Sequence, residues 1–226
     1  QADLPASLLS LDQQKMAFLN QLTPMIEREN ARVLETRQQV LQAYQQLDKG
    51  TLDDQRRTWL RQLARDHRVK NNPLEQADAR AELLRKVDII PVALVLAQAV
   101  NESAWGTSRF AREGNNLFGI WTYDPKQGIV PKGRAEGAKH LVRRFESLQD
   151  SVRYYLHNLN SHPAYQELRE MRAQMRTQNQ PLDALQLAAG LIRYSAKGER
   201  YVELIRDLIE RYDLVAMAER LPARAG

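Results

Sequence analysis

Residues 89–106 read IIPVALVLAQAVNESAWG, and this stretch decides the fold. Pro91 suits the first turn of a helix, where its missing N–H is one of the donors left unpaired anyway. Val92, Leu94, Val95, Leu96, Ala97, Ala99 and Val100 then make that helix apolar nearly all round, so it is buried and forms the central core helix. The apolar run from Ile89 to Val100 is about twelve residues, well short of the roughly twenty that cross a bilayer.

The rest of the chain agrees with a helical protein. Of 226 residues, 43% are hydrophobic and 27% charged, enough apolar material for one packed domain with a helical extension. Ten glycines and nine prolines are sparse, and strand-forming clusters between turn signals are few, which argues against a sandwich or barrel. The first third repeats apolar residues at helical spacing: Met16, Leu19, Leu22, Ile26, Val33, Val40, Tyr44 and Leu47. Pro24 interrupts the pattern, so it predicts a short helix followed by one from about Met25 to Leu47. Gly50 stops it, and Thr51 with Asp54 resembles a capping box opening a helix to about Asp66. A turn at Asn71-Asn72-Pro73 and a helix from Glu75 to about Val87 complete an N-terminal helical extension, residues 1–88, on a second unit, residues 89–226.

Beyond the core helix, residues 117–145 carry glycines at 119, 128, 133 and 137 and prolines at 125 and 131, which predicts a small β-hairpin or lobe. Ser147 with Asp150 resembles a second capping box opening a helix through Tyr155 and Leu159. Pro163 and Pro181 start further helices, and the last two span about Glu199–Glu210 and Leu214–Arg220. The fold class is mainly α with a small β lobe.

Several chemistries are excluded by the residues themselves. Zero cysteines removes disulfides, zinc ribbons, iron–sulfur clusters and thiol nucleophiles together. His67, His140, His157 and His162 do not share a metal-ligand spacing, so no metal or other cofactor is expected. Phosphate-cradling loops and the Gly-x-Ser-x-Gly elbow are absent.

The net charge of +5 is strongly localised. Residues 1–125 carry sixteen charges of each sign and residues 145–226 eleven of each. Residues 126–144 hold Lys126, Lys132, Arg134, Lys139, Arg143 and Arg144 against Glu136 alone. A basic patch on a balanced surface favours an anionic polymer such as a cell wall or a membrane surface, or is simply a solvated cationic face. A nucleic-acid partner is not expected, because no recognisable reading motif accompanies the patch.

Glu102 stands out. It ends the most apolar helix in the chain, three residues before Trp105, and desolvation there raises a carboxyl pKa by penalising the charged form. A carboxylic acid still protonated near neutral pH can donate to a leaving-group oxygen. The alternative is a helix-end glutamate that turns back to water. Trp105, Phe118, Trp121 and Tyr123 follow within about twenty residues, and flat rings of this kind stack on sugar faces or fill a core. Asn115 and Asn116 are candidates for a substrate amide or for shaping a turn.

The residues Ala97-Gln98-Ala99-Val100-Asn101-Glu102-Ser103-Ala104-Trp105-Gly106 and Gly114-Asn115-Asn116-Leu117-Phe118-Gly119-Ile120-Trp121 resemble the glucosaminidase family, glycoside hydrolase family 73, most closely its Bax-like branch. The likeness runs through Phe145-Glu146-Ser147, His162-Pro163-Ala164-Tyr165, Tyr194-Ser195 and Tyr201-Val202. It implies a lysozyme-like fold, a peptidoglycan substrate and a general acid at Glu102, cleaving after N-acetylglucosamine. It also implies a second acidic group, carried here to Glu136, and a site tyrosine, matched better by Tyr194 than by Tyr201. Trp105, Asn115, Asn116, Phe118, Trp121, Tyr123 and Tyr201 are the substrate-binding expectations.

Carboxyls about 5–5.5 Å apart retain configuration, a separation of about 6.5–9.5 Å inverts it, and a substrate acetamide can replace the second carboxylate. A lytic transglycosylase on the same fold and a non-catalytic wall-binding protein are the alternatives. The chain opens Gln1-Ala2-Asp3 without an initiator methionine, so a removed export signal and a periplasmic or extracellular location are expected, a trimmed chain being the other explanation.

Overall fold

A computed structural model describes residues 10–132 and 137–220. They are mainly helical, with one small antiparallel sheet. Helix α1 spans Leu11–Asp48, opened by a capping box in which the Ser10 hydroxyl accepts from the Gln13 amide and the Gln13 side chain accepts from the Ser10 amide. It is one helix, not two: Pro24 lies inside it. An interior proline costs about 3 kcal/mol by removing a helical hydrogen bond. Tertiary burial outweighs that cost, because Leu19, Leu22 and Ile26 on either side of Pro24 are all buried in the main core.

Helix α2, Asp54–Asp66, is capped by Asp53, whose carboxylate accepts from the Arg56 amide at 2.7 Å; the Thr51 hydroxyl donates backwards to the Gln46 carbonyl instead of forming the expected capping box. Helix α3, Ala77–Lys86, starts two residues later than the sequence pattern suggested. The far half of α1 packs with α2 and α3 around Val40, Leu60 and Leu83 in a hydrophobic cluster of its own.

Helix α4, Val92–Ser103, is the core helix; from Ala93 to Val100 every residue is buried. Helices α1, α9 and α10 pack on it. Three consecutive left-handed residues, Ala104, Trp105 and Gly106, end it. Gly106 is required twice there, by its φ of +74° and because a Cβ would meet the Phe18 ring at 2.8 Å.

After α5, Arg109–Gly114, come three short strands: β1 Trp121–Thr122, β2 Gly128–Ile129 and β3 Leu141–Arg143. The sheet order is β1-β3-β2, all antiparallel, with Val142 opposite both Trp121 and Ile129. The lobe is thus a three-stranded sheet with its last strand in the middle. Helix α6, Leu148–Ser161, begins as the sequence predicts, with the Ser147 hydroxyl accepting from the Asp150 amide. A single 3-10 turn, Pro163–Tyr165, leads into α7, Gln166–Thr177. The helix expected at Pro181 is the short α8, Ala184–Leu187, capped by Asp183. Helices α9, Glu199–Arg211, and α10, Leu214–Arg220, complete the body.

Candidate active site

Glu102 sits on the last turn of α4, one helical turn beyond Gln98, the single polar side chain in the run from Val92 to Val100. Residues four apart share a helix face, so both side chains point the same way. They meet a cluster of four tyrosines brought from four other segments of the chain.

Tyr201 of α9, 1% exposed, donates its hydroxyl hydrogen to Glu102 Oε1 at 2.8 Å. Asn101 Nδ2 donates to the same oxygen at 3.0 Å. Gln98 Nε2 donates to the Tyr201 hydroxyl at 2.9 Å, and Gln98 Oε1 accepts from the hydroxyl of Tyr155 on α6. Tyr194 stacks on Tyr201 with ring centroids 5.5 Å apart and also neighbours Tyr155 and Tyr165. Its hydroxyl donates to the Phe118 carbonyl at 2.7 Å, tying the loop over the site to the tyrosine cluster.

Burial dominates the electrostatics. Desolvation raises the Glu102 carboxyl above the ordinary carboxylate range, against the opposing hydrogen bonds from Tyr201 and Asn101 and the charge of Lys197. The same burial, with the Glu102 charge adding to it, pushes Tyr165 up to about 12 and holds Tyr155, Tyr194 and Tyr201 well above the usual phenol value. All four phenols are therefore hydrogen-bond donors at any physiological pH.

Glu102 Oε2 differs from its twin: it accepts no hydrogen bond from any described residue. It faces Gly119, where a Cβ would stand 3.1 Å away, and Gly119 adopts a φ of +64°. Asn116 builds that loop. Its Oδ1 accepts from the Ile120 and Phe118 amides, and its Nδ2 donates to the Ile120 and Arg143 carbonyls. Asn115, itself left-handed at the end of α5, donates to the Phe145 and Glu146 carbonyls.

The expected site residues therefore separate into groups. Glu102, Tyr194 and Tyr201 are brought together. Asn115, Asn116 and Phe118 lie beneath the loop as its framework; Phe118 is 1% exposed and stacks on Tyr155 at 3.9 Å, so its ring is core. Trp105 packs edge-on against Phe18 and Tyr212 with Lys15 over its ring, bracing the end of α4. Trp121 and Tyr123 are the exposed rings, 58% and 74% exposed, and Trp121 stacks on His140 at the edge strand of the lobe. Glu136 lies outside the described residues. Asp124, the other acid of the lobe, caps the 3-10 turn after β1 by accepting from the Lys126 amide.

Sequence reasoning gave no role to Gln98, Tyr155 or Tyr165. Gln98 carried a signal, since a lone amide inside an apolar helix must find a buried partner. No group of three or more metal-ligating side chains occurs among the described residues.

The family model for glucosaminidase, described as mannosyl-glycoprotein endo-beta-N-acetylglucosaminidase, matches residues 77–214. Protein bax of Escherichia coli (strain K12) is 36% identical over 190 residues, covering 83% of this chain. The match takes in 65% of that protein, so the chain covers less than two thirds of its relative. No solved structure matches. With the family model spanning the core helix, the Asn116 loop and the tyrosine-bearing helices, the chain belongs to the glucosaminidase family.

Proposed function

We propose that this protein is a peptidoglycan hydrolase, an endo-β-N-acetylglucosaminidase in which Glu102 is the general acid. The observation that carries this reading is the asymmetry of the Glu102 carboxyl: one oxygen takes two donors, while the other accepts no hydrogen bond from a described residue and faces Gly119, which has no side chain. A proton placed on Oε2 is held by a carboxyl whose pKa burial has raised, on the oxygen that no described residue engages.

The proton's position follows from the chain of donors. Gln98 fills an acceptor site of the Tyr201 hydroxyl, and the Gln98 amide is itself oriented by the Tyr155 hydroxyl. The Tyr201 hydrogen must then point at Oε1, which makes Oε1 an acceptor and leaves Oε2 to carry the proton. The same bond tempers the pKa, because it stabilises the carboxylate formed after transfer. Gln98 and Tyr201 are positioning residues in this reading, and Tyr194 orients the loop through Phe118.

The positive charge developing on the sugar needs an anionic or nucleophilic partner. Among the described residues Asp124 is the one acid of the lobe, and its carboxylate is engaged in a cap. Attack by the substrate's own acetamide, with Glu136 as the alternative partner, fits a site with one desolvated carboxyl. Trp121 and Tyr123 provide exposed rings for sugar faces. Lys126, Arg143 and Arg144 outnumber Glu146 and Asp150 around a depression of about 470 Å³ between the lobe and the start of α6, a net cationic wall that favours an anionic mesh. An exported, periplasmic or extracellular setting goes with that substrate.

Digestion of purified sacculi with mass spectrometry of the products tests the proposal. Fragments ending in reducing N-acetylglucosamine, lost in Glu102→Gln, are the expected result. Anhydro-muramic ends would make the protein a lytic transglycosylase, and binding without any release would make it a wall-binding protein.

A further inference from the structure

The N-terminal half of the chain has balanced charge in sequence, yet the fold sorts it. Across a groove of about 500 Å³ between the α2–α3 connection, α3 and the start of α7, five cations face two carboxylates. Arg68 and Lys70 come from the connection, Arg85 and Lys86 from the last turn of α3, and Arg169 from α7. Glu82 and Glu170 are the acids.

Two of these cations are built into the protein. Lys86 is 7% exposed and bonds the Arg68 carbonyl at 2.9 Å and Glu82 at 2.7 Å. Arg169 is 4% exposed and donates to the Leu159 and His162 carbonyls, closing the end of α6. The others have no such reason to be there: neither Lys70 nor Arg85 hydrogen-bonds or ion-pairs through its side chain with a described residue. Like charges gathered on a concave wall repel more than on a convex surface, because the low-dielectric walls focus the field. An anion entering the groove removes that repulsion.

Size and sign decide what kind of anion. About 500 Å³ is the scale of a pocket for a ligand of many atoms, far larger than a single inorganic ion. Glu82 is paired with Lys86, whereas Glu170, which accepts from the Gln166 side chain at 2.7 Å, has no ion-pair partner among the described residues; it would repel a purely anionic ligand and attract an ammonium group. The groove therefore suits a ligand bearing carboxylates and a free amine together. We infer that this groove binds a short zwitterionic peptide, the stem peptide of the same polymer whose glycan is cut at Glu102. The inference rests on the peptidoglycan reading for the identity of the peptide. The two sites share a segment: Pro163 and Gln166 line the groove, and Tyr165 between them stands beside Tyr194 in the tyrosine cluster.

The test is calorimetric and uses the full chain with a glycan-free probe, the tripeptide L-alanyl-γ-D-glutamyl-meso-diaminopimelate. Binding is expected to weaken tenfold or more when the probe's carboxylates are amidated, when its side-chain amine is acetylated, and in a Lys70→Glu/Arg85→Gln variant with an unchanged circular dichroism spectrum. Glu102→Gln binds the tripeptide like the parent chain, so this result is independent of catalysis. Equal binding by parent and variant overturns the inference, and so does equal competition by inorganic phosphate. Lys70-dependent capture by phosphatidylglycerol vesicles without tripeptide binding would also overturn it, since the groove would then read a lipid surface. Sacculus digestion that persists while tripeptide binding fails leaves the glycosidase standing and removes the peptide site alone.

Discussion

The Gln98 amide donates to the Tyr201 hydroxyl at 2.9 Å, and Tyr201 donates onward to Glu102 at 2.8 Å, so an amide two bonds removed from the carboxyl sets the direction of the hydrogen that reaches it. Replacing Gln98 with leucine frees that hydroxyl to turn. The carboxylate loses part of its support and the Glu102 pKa rises further. The expected outcome is a basic limb of the pH–activity profile displaced to higher pH, with a lower plateau because a weaker acid transfers its proton more slowly. Tyr201→Phe shifts the limb the same way and further. A merely structural loss would lower the profile without moving it.

Glu102 itself is costly to the fold. Its pKa is raised in the native state, so the unfolded chain releases this proton more readily, and stability falls as pH rises through the native value. Glu102→Gln removes the ionisation and can keep the bonds from Tyr201 and Asn101. The variant is expected to melt higher than the parent at pH 7–8, with the gap closing below the ordinary glutamate range near pH 4. Each kcal/mol relieved moves the melting temperature about 2–4 °C for a chain of this size. Equal melting temperatures at pH 8 would contradict the buried-acid reading.

Asp88 has the opposite sign. Burial alone would raise its pKa, but Arg176 at 2.9 Å, with Arg172 and Arg37 at 4.0 Å, holds it below the usual range. Those arginines come from α1 and α7, so this carboxylate pins the N-terminal helices to the body. Asp88→Asn leaves the buried Arg172 and the partly exposed Arg37 and Arg176 without their counter-charge, and because solvent screens the closest of them, Arg176, the cost is expected at or below about 3 kcal/mol, the low end for breaking a buried pair. In the parent chain this contribution is present above the normal aspartate pKa and is lost as acid lowers pH through the depressed native value. Urea melts of the two proteins at pH 7 and pH 3 measure both effects.

The two features most legible in the sequence were the core helix and its terminal acid, because both are local: a continuous apolar run, and a carboxyl where one should not be. The capping residues of α6 were legible for the same reason. What failed was set by distant partners. Pro24 reads as a break until the burial of Leu19, Leu22 and Ile26 is known. The middle strand of the sheet is the last in sequence, joined to β1 across about twenty residues, and no local pattern encodes that order. At the site, aromatic type alone did not separate the framework ring Phe118 from the exposed ring Trp121. Tyr155 reads only as a position on a helix and Tyr165 only as part of a motif, and their place beside Gln98 and Tyr194 is set by the tertiary fold.

Gly119 makes the most direct claim about geometry. Its φ of +64° is one that an alanine adopts only with strain, on the order of 1 kcal/mol, so Gly119→Ala lowers the melting temperature by a few degrees at most. The larger effect is chemical. The new methyl group would stand 3.1 Å from Glu102 Oε2, in the space a bridging oxygen must enter to take the proton. Activity on sacculi is expected to fall by two orders of magnitude or more, as misplacements of about 1 Å at reacting centres do. Glycine at this position would be explained by backbone freedom alone if the alanine variant, folded and only slightly less stable, digested sacculi at the parent rate. Oε2 would then not be the atom that meets the substrate.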